Sequence, residues 1–335
     1  MPADSQPNRQ AFQENRRIMP STMSPALVSI VVSFRNEEKN IPLLVARVTK
    51  VFEPLPEDFE IIFVNDVSSD RSLAVLQELH ARDSRVKVVN MSRRFGVSEC
   101  ALAGMEHARG AAVIYLDCDL QDPPELIPTL LAQWHAGSKV VHTVRERRLG
   151  ESALKLFVTR MGYRAIQLGS NIKLPMDCGD YKLLDRVVVD RLLTLRENDP
   201  YLRGLVIWIG YQQTFVSYIR DARHEGKSHF PVFSRNPWQA LLGGITSFSF
   251  TPIYLIGVLS VTVLGASLLL TVVAALGMMF TDTPSYTMAL FIGLGLMLWA
   301  TLLLAIGTVG IYVVRTYKDV RGRPRYIVDN TVGFD

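Results

Sequence analysis

The sequence predicts an α/β fold with a mostly parallel sheet and helices on both faces, followed by a two-helix transmembrane hairpin. The first observation is that short β-branched and apolar runs alternate with helical patterns between positions 29 and 144. Such alternation is typical of parallel sheets. The second is that residues 237–281 and 283–314 contain no Asp, Glu, Lys or Arg.

Nine elements are expected in order along the first half of the chain. The expected strands are 29–34, 60–65, 85–91, 111–116 and 139–144. The expected helices are 41–52, 70–81, 97–108 and 124–135, the last opened by prolines, which suit a first helical turn. Because ligands of such sheets bind at the carboxyl ends of the strands, functional residues are sought there.

Two spans are expected to cross a membrane, at about 250–280 and 288–314. Each exceeds the roughly 20 apolar residues that a bilayer requires, and uncharged runs of this length are unusual for buried core helices, the alternative interpretation. The loop 281–286 has no Lys or Arg, whereas 315–325 has five. The positive-inside rule therefore predicts a multi-pass membrane protein with both termini in the cytosol. The membrane is expected to be the inner (plasma) membrane of the cell.

The same reasoning divides the chain into five regions. We expect a disordered leader at 1–24, a cytosolic domain at 25–234 and an interfacial segment at 235–249. The membrane spans follow at 250–314 and a basic cytosolic tail at 315–335. A further amphipathic pattern at 151–168 is compatible with either a lipid headgroup layer or ordinary core packing.

Composition and missing motifs exclude several classes of function. The chain has 36 Lys and Arg against 32 Asp and Glu, a net charge of +4 that is too mild for a dedicated nucleic-acid binder. Its three cysteines form no CxxC pair, which disfavours a zinc ribbon or a disulfide framework. No GxGxxG or GxxxxGK[ST] follows a predicted strand, which disfavours dinucleotide dehydrogenases and P-loop NTPases.

Acidic and amide residues follow three of the predicted strands, at 36–38, 65–66 and 117–119. If the chain stays extended after the fourth strand, Asp117, Asp119 and Gln121 point to one side. Their oxygens are hard ligands that suit Mg²⁺ or Mn²⁺. The alternative is that Asp122 and its neighbours cap the helix that follows.

Several motifs also occur in a familiar order. They are SFRNEE at 33–38, VNDVSSD at 64–70, MSRRFG at 91–96, DCDLQDPPE at 117–125, CGDYKLLDR at 178–186 and RGRPRY at 321–326. Together they resemble motifs of the polyprenyl-phosphate glycosyltransferases, inverting GT-A enzymes of the bactoprenol glucosyltransferase and dolichyl-phosphate mannose synthase type. The resemblance covers about residues 26–330.

The resemblance implies a GT-A-like sheet and transfer of a sugar, most simply glucose from UDP-glucose, to undecaprenyl or another polyprenyl phosphate. It implies inversion, release of UDP and a Mg²⁺ or Mn²⁺ cofactor held by Asp117, Asp119 and Gln121. Asp180, the acid-base or acceptor-orienting residue, and Asp119 are the implied catalytic residues. The implied donor site comprises Phe34, Asn36, Glu37, Asp66, Arg223 and Ser228, and the implied acceptor-phosphate site comprises Arg145 and Arg148.

Simpler interpretations stand beside these roles. Asp66 would be a helix cap, Arg145 and Arg148 a solvated basic patch, and Asp180 a turn residue after Gly179. Among functions, the alternatives are a donor carrying a UDP-linked 4-amino-arabinose derivative, or a non-catalytic flippase or scaffold for lipid-linked sugars. A homo-oligomer is compatible with the sequence.

Three positions depart from the family pattern. Val67 replaces a glycine, so a positive φ there would be strained. Arg94 replaces an asparagine, and His229 replaces a lysine, which exchanges a fixed charge for a titratable one.

Overall fold

The computed structural model describes residues 26–148, 178–220, 251–278 and 284–334. All nine elements expected in the first half are present. The strands are β1 (Leu27–Phe34), β2 (Asp58–Asn65), β3 (Val86–Met91), β4 (Ala112–Asp117) and β5 (Val140–Arg148). The helices are α1 (Asn40–Phe52), α2 (Ser72–Arg82), α3 (Val97–His107) and α4 (Ile127–His135), the last preceded by a 3₁₀ turn at Pro124–Leu126.

Seven further elements complete the described part of the chain. They are β6 (Cys178–Asp185), α5 (Arg186–Thr194), α6 (Leu202–Trp208), β7 (Gln213–Arg220), α7 (Thr251–Met278), α8 (Pro284–Val320) and β8 (Val328–Val332).

The strands form an eight-stranded sheet in the order β7-β5-β6-β4-β1-β2-β3-β8. Strands β3, β2, β1 and β4 run parallel to their neighbours in that group, and β5 pairs in parallel with β7. The exceptions are β6, which is antiparallel to β4 and β5, and β8, which is antiparallel to β3. The mostly parallel sheet is therefore confirmed, and β6 contributes its first residues to the rim where the parallel strands end.

Both faces of the sheet are covered, as expected for parallel strands. On one face, Ile30, Phe63 and Ile114 belong to a buried cluster with apolar residues of α1, α2 and α4. On the other, Val31 and Tyr115 belong to a cluster with residues of α3, α5 and α6. The continuous apolar character of the strands follows from this burial on two sides.

Helices α7 and α8 have the length and composition of membrane spans and pack against each other. Their apolar segments, Ile253–Gly277 and Leu290–Val320, have mean hydropathies of 2.4 and 2.3 and are almost entirely exposed within the protein. Exposed apolar helices of this length suit a lipid environment, in agreement with the expected transmembrane hairpin. Helix α8 continues to Val320, beyond the expected end at 314.

The tail after α8 returns to the sheet, a pairing that no pattern in the sequence predicts. Strand β8 extends the edge at β3, and the Asn330 side chain accepts a hydrogen bond of 2.8 Å from Asn90. The tail is therefore part of the same fold as the sheet. The expected leader at 1–24, the amphipathic segment at 151–168 and the interfacial segment at 235–249 lie outside the described residues.

Candidate active site

The acidic rim is formed where the end of β4 meets the start of β6. Tyr115 pairs with Lys182 in this antiparallel ladder. Asp117 and Asp180 both lie just beyond this pair, at the end of β4 and near the start of β6, and the charge of Asp180 acts on Asp117. Two carboxylates that are far apart in the sequence are thus brought near each other at the carboxyl edge of the sheet.

Negative charge accumulates around Asp117. Burial raises the pKa of Asp117 to about 8, and repulsion from Asp119, Asp180 and Asp122 adds to this effect, while Arg145 opposes it. A carboxyl with so high a pKa is a site where one more positive charge would be stabilising. The carboxylate and amide oxygens of Asp117, Asp119 and Gln121 fit a hard divalent cation in chemistry and in charge.

The expected extended geometry after β4 is wrong. The strand ends at Asp117 and the chain turns, with Leu120 at φ 59°. The backbone N–H of Gln121 donates to Asp119 Oδ1 at 3.2 Å inside this turn. Among the described residues, no three His, Cys, Asp or Glu side chains converge as ready-made metal ligands. A turn replaces the strand because Leu120 takes a left-handed conformation, which breaks the alternation of side chains.

Asp122 lies below the rim and is not a helix cap. It is fully buried, and the Tyr218 hydroxyl donates a hydrogen bond to its Oδ1. Arg145 Nη2 lies 3.6 Å from Asp122 Oδ2, and Arg145 Nε donates to the Tyr218 hydroxyl at 3.1 Å. This network links the segment after β4 to the ends of β5 and β7.

Arg145 is a buried residue of that network, with a side chain only 8% exposed. Its guanidinium lies against the backbone of Gly179, where an added Cβ would sit 3.0 Å from Nη2. Arg145 is therefore not part of a solvated patch, and its contact with the acceptor stays a prediction. The side chain of Arg148 lies outside the described residues.

Asp180 lies within β6 rather than in a turn. Arg203, in the first turn of α6, donates through Nε to Asp180 Oδ1 at 2.8 Å and through Nη2 to Oδ2. Although burial favours the neutral acid, Arg203, followed by Lys182 and Arg145, holds the pKa of Asp180 well below its usual range. Lys182 is itself fully buried, and its ammonium has no hydrogen-bond partner among the described residues.

Asp66 lies at the end of β2 and faces the loop before α3. Its Oδ1 accepts hydrogen bonds from the amides of Phe95 at 2.8 Å and Gly96 at 3.4 Å. Arg94 Nε lies 3.9 Å from Oδ2. The helix-cap interpretation is therefore wrong for Asp66, and it is Asp70 that accepts from Ser72 N at the start of α2.

The residues after β1 are held to the loop after β2. The side-chain oxygen of Asn36, a residue with φ 57°, accepts a hydrogen bond from Ser69 N at 2.7 Å. The backbone N–H of Asn36 donates to the Ser68 hydroxyl at 3.0 Å. Glu37 accepts from the Asn40 side chain at 2.6 Å. Phe34 is buried and its ring contacts Phe63 edge to face. These contacts join the loops that follow β1 and β2 at the carboxyl edge of the sheet.

Val67 adopts the strained conformation anticipated from the sequence. It has φ 57° and is 43% exposed. A β-branched residue with positive φ is a genuine outlier, because its Cβ crowds the backbone. The tight turn between Asp66 and Ser68 is therefore kept at a cost in conformational energy.

Comparison with known proteins identifies the family. The sequence model described as "Glycosyl transferase family 2" matches residues 29–193. "Uncharacterized glycosyltransferase YkcC" of Bacillus subtilis (strain 168) is 37% identical over 92% of this chain and 94% of its own length. The chain belongs to glycosyl transferase family 2. The "SfII prophage-derived bactoprenol glucosyl transferase" of Shigella flexneri is 34% identical over 90% of this chain and 97% of its own length.

Among solved structures, this glycosyltransferase resembles glucosyl-3-phosphoglycerate synthase from Mycobacterium tuberculosis in complex with Mn²⁺, UDP-glucose and phosphoglyceric acid. The TM-score is 0.44 at 17% identity, covering 66% of this chain and 80% of the other.

Two residues of the glycosyltransferase site, Arg203 and Tyr218, carry no motif in the sequence. Both lie between the motif at 178–186 and the motif at 321–326. Tyr218 carried one usable signal, an aromatic hydroxyl near the end of a strand rich in β-branched residues. Arg223, Ser228 and His229 lie outside the described residues.

Proposed function

We propose that the chain transfers a sugar, most simply glucose from UDP-glucose, to undecaprenyl or another polyprenyl phosphate, with inversion and release of UDP. The observation that carries the proposal is the 34% identity to the Shigella flexneri bactoprenol glucosyl transferase over 90% of this chain. A match of that length includes residues of both the acidic rim and the apolar helices. An enzyme with a membrane anchor beside its site is suited to a lipid acceptor.

The chemistry of the acceptor removes the need for a strong base. The second pKa of a phosphate monoester is about 6, so a lipid phosphate is largely dianionic and nucleophilic at neutral pH. Asp180 is a weak base, because Arg203 holds its pKa well below the usual range. We therefore assign Asp180 the orientation of the acceptor rather than removal of a proton.

The residues at the end of β4 are proposed to hold Mg²⁺ or Mn²⁺ through Asp117, Asp119 and Gln121. Such a cation neutralises charge on a departing diphosphate. The raised pKa of Asp117 supports the proposal, because repulsion from Asp119, Asp180 and Asp122 adds to the effect of burial and a bound cation would relieve it. Asp119 would act in catalysis through this same diphosphate contact.

The two substrates are proposed to occupy opposite sides of the acidic rim. Asp66 would accept from the uracil N–H on the donor side. Arg145 and Arg148 would meet the acceptor phosphate, since guanidinium groups suit phosphate. The remaining donor-site residues proposed are Phe34, Asn36, Glu37, Arg223 and Ser228.

We propose that the protein lies in the plasma (inner) membrane with its catalytic domain, 25–234, and both termini in the cytosol. The basic residues of 315–325 support this orientation. A cysteine at exposed position 323 tests it, because the native cysteines at 100, 118 and 178 are buried. Labelling by an impermeant reagent added to intact cells would contradict the orientation, whereas labelling only after permeabilisation would support it.

The activity itself is tested by incubating the purified protein with undecaprenyl phosphate, Mn²⁺ and a panel of labelled UDP-sugars. Formation of a labelled lipid with UDP-glucose would support the proposal. Labelling only from a UDP-linked 4-amino-arabinose derivative would favour the alternative donor. Absence of transfer from every donor would favour a flippase or scaffold, against which the uncharged spans and the acidic rim argue.

A further inference from the structure

Helix α6 carries Arg203 to Asp180 in its first turn. The planar guanidinium meets the carboxylate through two nitrogens, Nε at 2.8 Å from Oδ1 and Nη2 beside Oδ2. A two-point contact fixes the plane of the carboxylate as well as its position. The orientation of Asp180 therefore depends on where the first turn of α6 lies.

The carboxyl end of α6 is held by the sheet. The Gln213 side chain donates to the carbonyls of Val206 at 3.4 Å and Ile207 at 3.2 Å, and its Oε1 lies 2.9 Å from His142 Nε2. His142 Nδ1 in turn lies 3.5 Å from Cys178 Sγ, near the start of β6. This end of α6 is thus linked to β5, β6 and β7.

The amino end of α6 follows a loop, 195–201, that is held by the end of the second apolar helix. Asn198 N donates to Asp319 Oδ1 at 2.9 Å, and Asn198 Nδ2 donates to the Lys318 carbonyl at 2.7 Å. That carbonyl belongs to the last turn of α8, where helical carbonyls lack intrahelical partners. Asn198 therefore ties the loop to the helix terminus itself.

Two ion pairs reinforce the same contact. Lys318 Nζ lies 2.5 Å from Asp199 Oδ2, and Arg315 Nη2 lies 3.4 Å from Glu197 Oε2. Three consecutive loop residues thus contact three charged residues of α8. The apolar hairpin is therefore connected to Asp180 through the end of α8, the loop 195–201 and the first turn of α6.

We propose that Arg203 is the positioning residue for Asp180. The charged end of α8 sets the position of Arg203 through the loop 195–201. This inference rests on the proposed function, in which Asp180 orients the acceptor. It assigns the membrane hairpin a second task beyond anchoring, which is to complete the geometry of the site. Releasing the loop would let the first turn of α6 shift while its last turn stays fixed by Gln213.

Charge reversal of the Lys318–Asp199 pair tests the connection in the full-length protein in detergent. Lys318→Asp and Asp199→Lys each place like charges together, and the double variant restores an opposite pair with reversed polarity. Arg323→Asp is the matched control, because it makes the same charge change in the tail and Arg323 is exposed. Two quantities are measured, the steady-state kinetics and the hydrogen exchange of amides 202–208.

Each single reversal is expected to lower kcat by about tenfold or more, since small misplacements of a catalytic group are costly. The KM for the UDP-sugar should stay within about twofold of wild type, because the donor residues are not moved. Exchange of amides 202–208 should become faster. The double variant should recover both kcat and slow exchange, whereas Arg323→Asp should change neither.

The inference is overturned if the single reversals leave kcat and exchange at wild-type values, or if the double variant is as impaired as the singles. Asn198→Ala, which removes the contact with the Lys318 carbonyl without changing charge, replaces the reversals if these do not fold and should give the same two effects. If the wild-type protein transfers no sugar to any lipid phosphate, the proposed function fails. The exchange measurement then still decides whether α8 controls α6.

Discussion

Arg145 and Asp122 form a buried ion pair, with Nη2 and Oδ2 3.6 Å apart and side-chain exposures of 8% and 0%. The Tyr218 hydroxyl contacts both residues, accepting from Arg145 and donating to Asp122. Removing one partner of a buried pair leaves an uncompensated charge. Arg145 therefore has a structural part in the site, in addition to the acceptor contact proposed for it.

We expect Arg145→Ala to destabilise the protein by about 3–5 kcal/mol, because it leaves the Asp122 carboxylate buried without its partner. Adding Asp122→Asn should restore much of this loss, since the amide oxygen still accepts from Tyr218. Thermal unfolding in detergent measures both variants. If the double variant regains stability while its KM for polyprenyl phosphate stays high, Arg145 also binds the acceptor. If the stability and this KM both return to wild-type values, Arg145 has a structural role only.

Activity is expected to require a divalent cation. Chelation with EDTA should abolish transfer and Mn²⁺ or Mg²⁺ should restore it, because a bound cation would offset the repulsion that Asp119, Asp180 and Asp122 exert on Asp117. Asp119→Ala should lose most activity at any cation concentration. Full turnover of this variant in excess EDTA would contradict the assignment of the metal site. Asp58→Ala, at the opposite end of the sheet, is the matched control and should keep the cation requirement unchanged.

Val67→Gly is expected to stabilise the protein. A left-handed conformation costs a residue with a Cβ about 1–2 kcal/mol, whereas the added chain entropy of glycine costs about 0.5–1 kcal/mol. The control is Val97→Gly, another exposed valine, but one at the start of α3, where glycine should destabilise. Opposite shifts of the thermal midpoint would confirm the strain at Val67, and parallel shifts would refute it.

The sequence predicted the first half of the fold well, because its signals are local. The strands β1 to β4 are rich in apolar and β-branched residues, and α1 carries a clear apolar face, so the boundaries of these elements fall within a few residues of those expected. The position of Val67 at positive φ was also readable, because neighbouring residues match a motif with glycine there. Such features depend on the chain over a few residues only.

What the sequence could not give are relations between distant segments. The antiparallel entry of β6 and the return of β8 to the edge at β3 are decided by long-range pairing. The same holds for Arg203 on Asp180, which joins two elements with no shared motif. The extended geometry expected at Asp117–Gln121 failed because Leu120 turns the chain, and residue type alone does not reveal a left-handed leucine.

Stability is expected to fall as the pH rises through about 7, because of Glu99. Burial raises the pKa of Glu99 to about 7, with added repulsion from Asp199 and Asp66. A carboxyl whose pKa is higher in the folded than in the unfolded state stabilises the fold below its unfolded pKa. That stabilisation is lost as the pH rises through the folded pKa.

Glu99→Gln should therefore raise the thermal midpoint at pH 8.5 more than at pH 5.5, by an amount corresponding to at most about 3 kcal/mol. Glu78→Gln, on the exposed side of α2, is the control and should change the thermal midpoint equally at both pH values. A pH-independent effect of Glu99→Gln would show that the carboxyl is not held neutral.

The donor and acceptor residues are expected to separate in steady-state kinetics. Asp66→Asn keeps an oxygen that can accept from Phe95 N, so the loop before α3 stays in place, but it puts an amide donor beside the uracil N–H. The KM for the UDP-sugar should then rise by about tenfold or more, the value of one charge-assisted hydrogen bond, with little change for polyprenyl phosphate. Arg148→Ala should raise the KM for polyprenyl phosphate instead, because loss of uniform binding raises KM for the substrate concerned.

Arg94→Asn is the control on the donor side and should leave the KM for the UDP-sugar nearly unchanged. The exposed guanidinium of Arg94 lies 3.9 Å from Asp66, and such pairs contribute little. If Asp66→Asn and Arg148→Ala weakened the same substrate by similar factors, the division of the site would be wrong, although the transferase could still act on a lipid phosphate held elsewhere along the rim.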